Sequence, residues 1–133
     1  MITETCHVCC LSHTCEGKAS DQSLAELAGY TLPPGSCLSQ DKGFQGFFLP
    51  GITSVQPKQK PPGGELPPPE QATNRRISAI RIRIEHAISG VKRYRIVKDK
   101  IRLFKDGRRD AVMETCCGLH NFRLQYRPWQ YAL

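Results

Sequence analysis

The chain has 133 residues, which is enough for one ordinary domain and too few for two. Charged residues make up 23% and hydrophobic residues 39%, with a net charge of +7, which excludes a long coiled coil and a disordered acidic tail. No apolar stretch reaches the roughly 18 to 20 residues that span a bilayer, and the N-terminus lacks signal-peptide features, so we expect a cytoplasmic protein without a membrane partner.

Residues 5–14 are rich in cysteine and in residues that favour strands, and we predict a buried strand there. The spacing of Cys6 and Cys9, with His7 and His13 nearby, is also typical of zinc ligands. A second ligand pair at the usual distance is missing, and a strand would direct alternate side chains to opposite faces. Zinc binding therefore stays a minor alternative.

The seven cysteines include two adjacent pairs, which suit reduced thiols better than disulfides.

A short helix and a short strand come next. Ser20 is a suitable N-cap for a helix that Gly29 would end. A turn at residues 33–35 leads to a strand at residues 36–40. This strand places Asp41 at its end.

Residues 50–69 hold seven of the ten prolines and cannot form a regular helix. Only residues 52–56 are suited to a brief strand. We predict a linker or long loop for the rest of this stretch.

Two helices are predicted in the second half of the chain. The first opens at residues 67–70, where proline and Glu70 suit a first helical turn. Its apolar residues recur at helical spacing: Ile77, Ile80, Ile84, Ile88 and Val91. A turn at residues 105–107 precedes the second helix, which starts at about residue 110. One face of that helix is predicted to consist of Val112, Met113, Cys116, Leu119 and His120.

The positive charge lies almost entirely in this helical half. Residues 1–70 hold four Lys or Arg against seven Asp or Glu, a net charge of −3. Residues 71–133 hold fifteen against five, a net charge of +10. The asymmetry favours a polyanionic partner, with nucleic acid first, although a solvated basic helix face is the alternative.

Two carboxylates stand out by position. Glu85 lies in the middle of the basic helix, where it is suited to an ion pair with Arg81 one turn earlier. Together with Asp41, it is also suited to hold hard divalent cations through oxygen ligands. Such cations support phosphodiester chemistry, and the basic helix would then hold the nucleic-acid backbone by its phosphates.

Two motifs resemble those of DDE-type insertion-sequence transposases. Residues 40–46, QDKGFQG, are similar to the strand motif that carries the second acid of the family. Residues 81–93, RIRIEHAISGVKR, are similar to the helix motif that carries the final glutamate, with Arg81, Glu85 and Lys92 at the family spacing. Residues 116–123 resemble the C-terminal helix of the family.

The resemblance implies a partial RNase H-like α/β fold and divalent-metal-dependent cleavage and transfer of DNA strands, with transposon ends as the DNA partner. It implies that Asp41 and Glu85 are the catalytic residues and hold Mg²⁺ or Mn²⁺. The DNA-binding candidates are Arg81, Lys92, Arg93 and Arg95. The implied catalytic domain spans residues 1–133, with a strand–helix–strand part at 1–49, a proline-rich loop at 50–69 and a basic helical part at 70–133. A homo-oligomer is left open, and a bacterial protein would associate with the nucleoid.

The chain departs from the family pattern in its first part. The first catalytic aspartate of the family lies on the opening strand of the fold, but the only acidic residues that precede Asp41 here are Glu4, Glu16, Asp21 and Glu26. Asp21 matches a different recurring aspartate, one that follows the third strand. We therefore expect a truncated transposase that lacks the first two strands and is inactive on its own.

A binding module without catalysis is the main alternative. The basic helix with Tyr94, followed by Tyr126, Trp129 and Tyr131, combines cations with aromatic rings. That combination is typical of nucleic-acid-binding modules, and the alternative is that the aromatic residues only anchor the C-terminus against the core. DNA binding without cleavage would favour the binding module.

Overall fold

The computed structural model describes residues 1–15, 17–99, 102–105 and 107–129. Its helices and strands confirm the predicted α/β character. In chain order they are α1 (Asp21–Leu27), β1 (Cys37–Ser39), β2 (Thr53–Val55), α2 (Pro68–Lys92), α3 (Arg95–Lys98) and α4 (Arg108–Tyr126). The chain divides into two compact units, one of residues 15–81 and one of residues 1–14 with 82–133. No helix within the described ranges is long and apolar enough to cross a membrane.

The unit of residues 15–81 contains a small parallel sheet. Strands β1 and β2 pair with Cys37 opposite Thr53 and Ser39 opposite Val55. The pairing continues one residue further, because the amide of Gln40 donates to the carbonyl of Val55 at 3.0 Å. The two short strands predicted at residues 36–40 and 52–56 are therefore confirmed.

Helix α1 begins and ends as its sequence predicts. The hydroxyl of Ser20 accepts a hydrogen bond from the amide of Ser23 at 3.2 Å, which satisfies one of the unpaired donors of the first turn. Gly29 follows the helix with a φ of 59°, a left-handed conformation that glycine adopts without steric strain. The helix buries Ala25.

The proline-rich segment is fastened to the first turns of α2. The Asn74 side chain pairs with the backbone of Lys58 twice, since it accepts from the amide at 3.0 Å and donates to the carbonyl at 3.0 Å. The Lys58 ammonium also pairs with Glu70. The backbone of Lys58 is thus paired by a side chain of α2 and not by a neighbouring strand, which suits a segment whose prolines lack the amide donors of a strand ladder.

The unit of residues 1–14 and 82–133 has its core between the second half of α2 and α4. Helix α4 buries Cys116, Cys117, His120 and Leu124. Helix α2 contributes Ala87 and Val91, while Gly90 lies against the ring of His120.

The predicted apolar stripe of α2 is partly wrong. Ile77 and Val91 are buried, but Ile80 and Ile88 are 37% and 42% exposed. The small residue Ala87 is fully buried instead. Small side chains let a second helix approach closely. In the second half of α2, which packs against α4, a small residue is therefore buried while the large Ile88 is exposed.

The strand predicted at residues 5–14 does not form. Only Ile2 and Val8 share an isolated antiparallel bridge. Cys6 has a φ of 66°, which turns the chain, and its side chain is fully buried. The amide and carbonyl of Val8 pair with the side chain of Asn121, each at 2.8 Å, so an asparagine takes the place of a neighbouring strand.

Helix α4 confirms the second predicted helix, which starts slightly earlier than expected. Gly107, with a φ of 71°, precedes it, and Asp106 of the predicted turn lies outside the described residues. Cys116 and His120 are buried as predicted, whereas Leu119 is 46% exposed.

All seven cysteines are free thiols. Burial raises the pKa of Cys116 and of Cys117, so both remain neutral and pack as small apolar side chains. Burial, together with the neighbouring Cys9, also raises the pKa of Cys10.

Adding a methyl group at Gly90 should destabilise the protein. A Cβ atom there would overlap with Cε1 and Nδ1 of the buried His120 ring. We expect Gly90→Ala to lower the free energy of unfolding by about 1–3 kcal/mol, as overpacking does. Urea unfolding followed by circular dichroism measures this change. The control is Gly118→Ala, where nothing lies within 4 Å and helix propensity should leave stability unchanged or slightly higher. Equal effects of the two changes would contradict the packing described here.

Acid should weaken the attachment of the N-terminal segment to α4. Hydrogen bonds from the side chain and amide of Thr14, together with His13, lower the pKa of Asp110 to about 2 from a usual 3.8. A lowered pKa stabilises the fold above the unfolded value, and this contribution is lost as the pH falls from 3.8 to about 2. The stability difference between the wild type and Asp110→Asn should therefore shrink across that window. Unfolding curves at several pH values measure it, with Glu114→Gln as the control; a constant difference would argue against the lowered pKa.

Candidate active site

Asp41 is the second residue after β1 and caps the short 3-10 helix of residues Lys42–Phe44. Its Oδ1 atom accepts a hydrogen bond from the amide of Lys42 at 2.8 Å. The same oxygen accepts from Nη1 of Arg81 at 3.1 Å, in an ion pair whose side chains are 46% and 59% exposed. The sequence suggested Arg81 as a partner for Glu85, and the structure shows an ion pair between Arg81 and Asp41.

Two glutamines that the sequence analysis did not identify hold the turn after Asp41. Gln40 is a buried polar residue, only 6% exposed. The Nε2 group of Gln56 donates to Oε1 of Gln40 at 2.7 Å and to the carbonyl of Phe44 at 3.1 Å. Gln40 in turn donates to the carbonyl of Phe47 at 3.5 Å. These bonds close the loop of residues 40–47, which fixes the backbone on either side of the aspartate.

The strand positions contain a signal that could have identified these glutamines. Each is the residue directly after one of the two short strands, and the register pairs Ser39 with Val55. Two amide side chains at matching positions on parallel neighbours are close enough to bond. The prediction would have required the register, which the sequence alone did not provide.

The glycines of the QDKGFQG motif allow α1 to approach the same turn. A Cβ atom on Gly43 would lie 3.2 Å from Oδ2 of Asp21. One on Gly46, whose φ is 90°, would lie 3.3 Å from Nε2 of Gln22. Asp21 thus lies beside the loop that carries Asp41.

Glu85 is exposed on α2, on the face that also carries two cations. Arg81, Glu85 and Lys92 all belong to this continuous helix and are all exposed. At about 100° per residue they lie within roughly 40° of one another around the helix axis. The three charges therefore form one stripe, as the motif spacing predicts.

The other two DNA-binding candidates lie beyond the end of this helix. Helix α2 ends at Lys92, so Arg93 falls in the connection to α3. Arg95 opens α3 and pairs with Asp99 at 3.4 Å, although its side chain is 88% exposed. Both remain accessible cations, but neither shares a helix with Glu85.

The chemistry of Asp41 and Glu85 suits a hard divalent cation, since both offer exposed carboxylate oxygens. The two residues belong to different compact units, Asp41 to residues 15–81 and Glu85 to the other. Among the residues that the structure describes, no group of three His, Cys, Asp or Glu side chains could hold a metal ion.

The N-terminal cysteines do not form a zinc site in the part of the chain that is described. The Cys6 thiol is fully buried and donates to the carbonyl of Arg83 at 3.4 Å. The Cys9 thiol is exposed and donates to the carbonyl of Met1 at 3.5 Å. The two expected ligands thus contact different groups, and the zinc interpretation gains no support.

Comparisons with known proteins identify the family. The sequence model of the DDE superfamily endonucleases matches residues 1–121. A curated relative from Microchaete diplosiphon, "Probable transposase for insertion sequence element IS702", is 26% identical over 121 residues, which are 91% of this chain and 43% of the relative. The chain thus spans less than half the length of that relative, and no solved structure matches it. Because the family match covers most of its residues, the chain belongs to the DDE superfamily endonucleases.

Proposed function

We propose that the chain forms part of the catalytic domain of a transposase-like DDE endonuclease, which cleaves and transfers DNA strands with the help of Mg²⁺ or Mn²⁺. The exposed carboxylate of Asp41, fixed in a closed turn at the end of a parallel strand, is the observation that carries the proposal. An RNase H-like fold for the complete domain belongs to the same proposal, with residues 1–49, 50–69 and 70–133 as its parts. So does a location at the nucleoid of a bacterial cytoplasm, where the DNA is.

In this proposal Asp41 and Glu85 hold the divalent cation. A bound cation of this kind supplies a Lewis acid that polarises the phosphate and activates a water or hydroxyl nucleophile. The guanidinium of Arg81 now bonds to Oδ1 of Asp41, so it must move aside before that oxygen can act as a ligand. Arg81 is then positioned next to the site, where it can bind a phosphate oxygen.

The basic residues around Glu85 would hold the DNA backbone. Arg81 and Lys92 share its face of α2, and Arg93 and Arg95 extend the positive surface beyond the helix. Contacts of this type position the duplex through its phosphates and do not read its sequence. The proposal therefore assigns DNA positioning to these residues, with transposon ends as the substrate.

The strength of catalysis follows from the number of ligands. The family pattern uses three acidic residues, and this chain supplies two at matching positions. Two carboxylates hold a cation more weakly than three, so we propose that the 133-residue chain by itself binds metal weakly and cleaves DNA poorly.

DNA binding without cleavage is the second candidate. The ion pair between Arg81 and Asp41 favours it, because it occupies an oxygen that a metal would need. Nicking of transposon-end DNA in the presence of Mg²⁺ or Mn²⁺ separates the candidates. Nicking that Asp41→Asn abolishes supports the endonuclease, whereas binding without any nicking supports the second candidate.

Changes at Asp41 and at Arg81 should affect metal binding in opposite directions. Asp41→Asn removes a ligand and should weaken Mn²⁺ binding roughly tenfold or more. Arg81→Met removes the competing cation, and since exposed pairs are worth about 0.2–1 kcal/mol, binding should tighten by up to about fivefold. Mn²⁺ titration followed by electron paramagnetic resonance measures both effects.

The matched control for this titration is Glu114→Gln, an exposed carboxylate of α4 outside the proposed site. It should leave the Mn²⁺ affinity unchanged. An affinity that all three variants lower equally would refute the assignment of Asp41 as a ligand.

Removing the basic residues after Glu85 should weaken DNA binding and reduce its dependence on salt. We expect the double variant Lys92→Ala, Arg93→Ala to reduce the slope of log affinity against log salt by roughly one for each phosphate that the protein no longer neutralises. Fluorescence anisotropy with a labelled duplex at several salt concentrations measures the slope. Lys60→Ala, an exposed lysine of the proline-rich segment, is the control. If this control lowers the slope as much as the double variant does, the basic residues near Glu85 are not the DNA-binding surface.

A further inference from the structure

Helix α4 exposes a row of large apolar side chains along its second half. Leu119, Phe122 and Tyr126 follow one another at intervals of three and four and are 46%, 57% and 72% exposed. The rings of Phe122 and Tyr126 contact each other edge to face, with centroids 5.0 Å apart. At about 100° per residue, the centre of this face lies roughly 130° around the helix from the centre of the buried Cys116, His120 and Leu124.

The first half of the same face forms the floor of a groove. Val112 and Thr115 of α4 lie there, and Ile96 and Phe104 contribute to the walls of a cavity of about 540 Å³. The wall is fixed in place, because Nε of Arg109 donates to the carbonyl of Leu103 at 2.8 Å. The groove and the exposed side chains together extend along most of the 19-residue helix, which is about 28 Å long.

The border of this surface is positively charged. Arg102, Lys105 and Arg108 line the groove and are exposed. The nearby acids of α4 lie elsewhere: Asp110 bonds to His13 and Thr14, and Glu114 is roughly 110° around the helix from the apolar face. Three cations therefore border the groove at the start of α4, and the two described acids of that helix, Asp110 and Glu114, lie away from it.

We propose that this surface of α4 is a docking site for an acidic amphipathic helix of a partner protein. Apolar side chains at intervals of three and four residues are the anchors that a helix in a groove uses. Charge complementarity selects the partner, since glutamate and aspartate beside its apolar face would meet Arg102, Lys105 and Arg108. A second copy of the chain would instead bring two positive borders together. A DNA backbone would satisfy the cations but leave Leu119 and Phe122 without an apolar contact.

The test uses the full chain and a fluorescent helical peptide of about 18 residues, with leucines at intervals of three and four residues and glutamates beside them. Two control peptides replace the glutamates with lysine or the leucines with serine. We expect anisotropy to show binding of the first peptide only. Phe122→Ser should weaken it at least about tenfold, as loss of an anchor does, whereas Gln125→Ser, on an exposed position of the same helix, should not.

A charge reversal provides a second measurement that does not depend on the apolar anchors. Arg108→Glu should weaken the binding of the glutamate peptide and improve that of the lysine peptide. Equal binding of the peptides, no binding at the highest soluble concentration, or no effect of Phe122→Ser would overturn the proposal. It would also be overturned if Phe122→Ser dissolved a dimer seen by sedimentation, or if it weakened duplex DNA binding as much as peptide binding.

Discussion

The close contact between α2 and α4 at Gly90 and His120 is the constraint on which the unit of residues 1–14 and 82–133 depends. The imidazole occupies the space that a side chain at position 90 would need. Its Nε2 atom donates to the carbonyl of Cys6 at 3.0 Å, since a carbonyl can only accept. One buried ring therefore joins the N-terminal segment to both helices. Glu85 precedes Gly90 by five residues, or about one and a half turns of α2. The glutamate therefore lies close to the point where this helix is held against α4.

Local signals in the sequence were sufficient for much of the fold. Ser20 and Gly29 bounded the first helix, and the two short strands lie where they were predicted. These predictions succeeded because capping and turn formation depend on residues that are close in sequence. The strand at residues 5–14 failed because its partner is the side chain of Asn121, more than a hundred residues away. No periodicity in the segment itself indicates such a partner.

The proposed site shows the same division. The position of Asp41 after a strand and the stripe around Glu85 follow from local patterns. The ion pair between Asp41 and Arg81 joins residues 40 positions apart, and the bonds of Gln56 depend on strand register. The exposed Ile80 and Ile88 were predicted to be buried because periodicity favours large apolar residues. Where α2 approaches α4, the small residues Ala87 and Gly90 occupy the contact instead.

The bonds between Asn74 and Lys58 have a consequence for variation of the chain. They fix the start of a loop whose end is the first turn of α2, where Gln71 also donates to the carbonyl of Leu66 at 2.7 Å. The residues between these anchors form a closed loop at the surface, and the entropy of closing such a loop grows only with the logarithm of its length. Insertions or deletions between Lys58 and Leu66 would therefore leave both anchors in place. We therefore expect changes in the length of this loop to leave the turn that presents Asp41 unchanged.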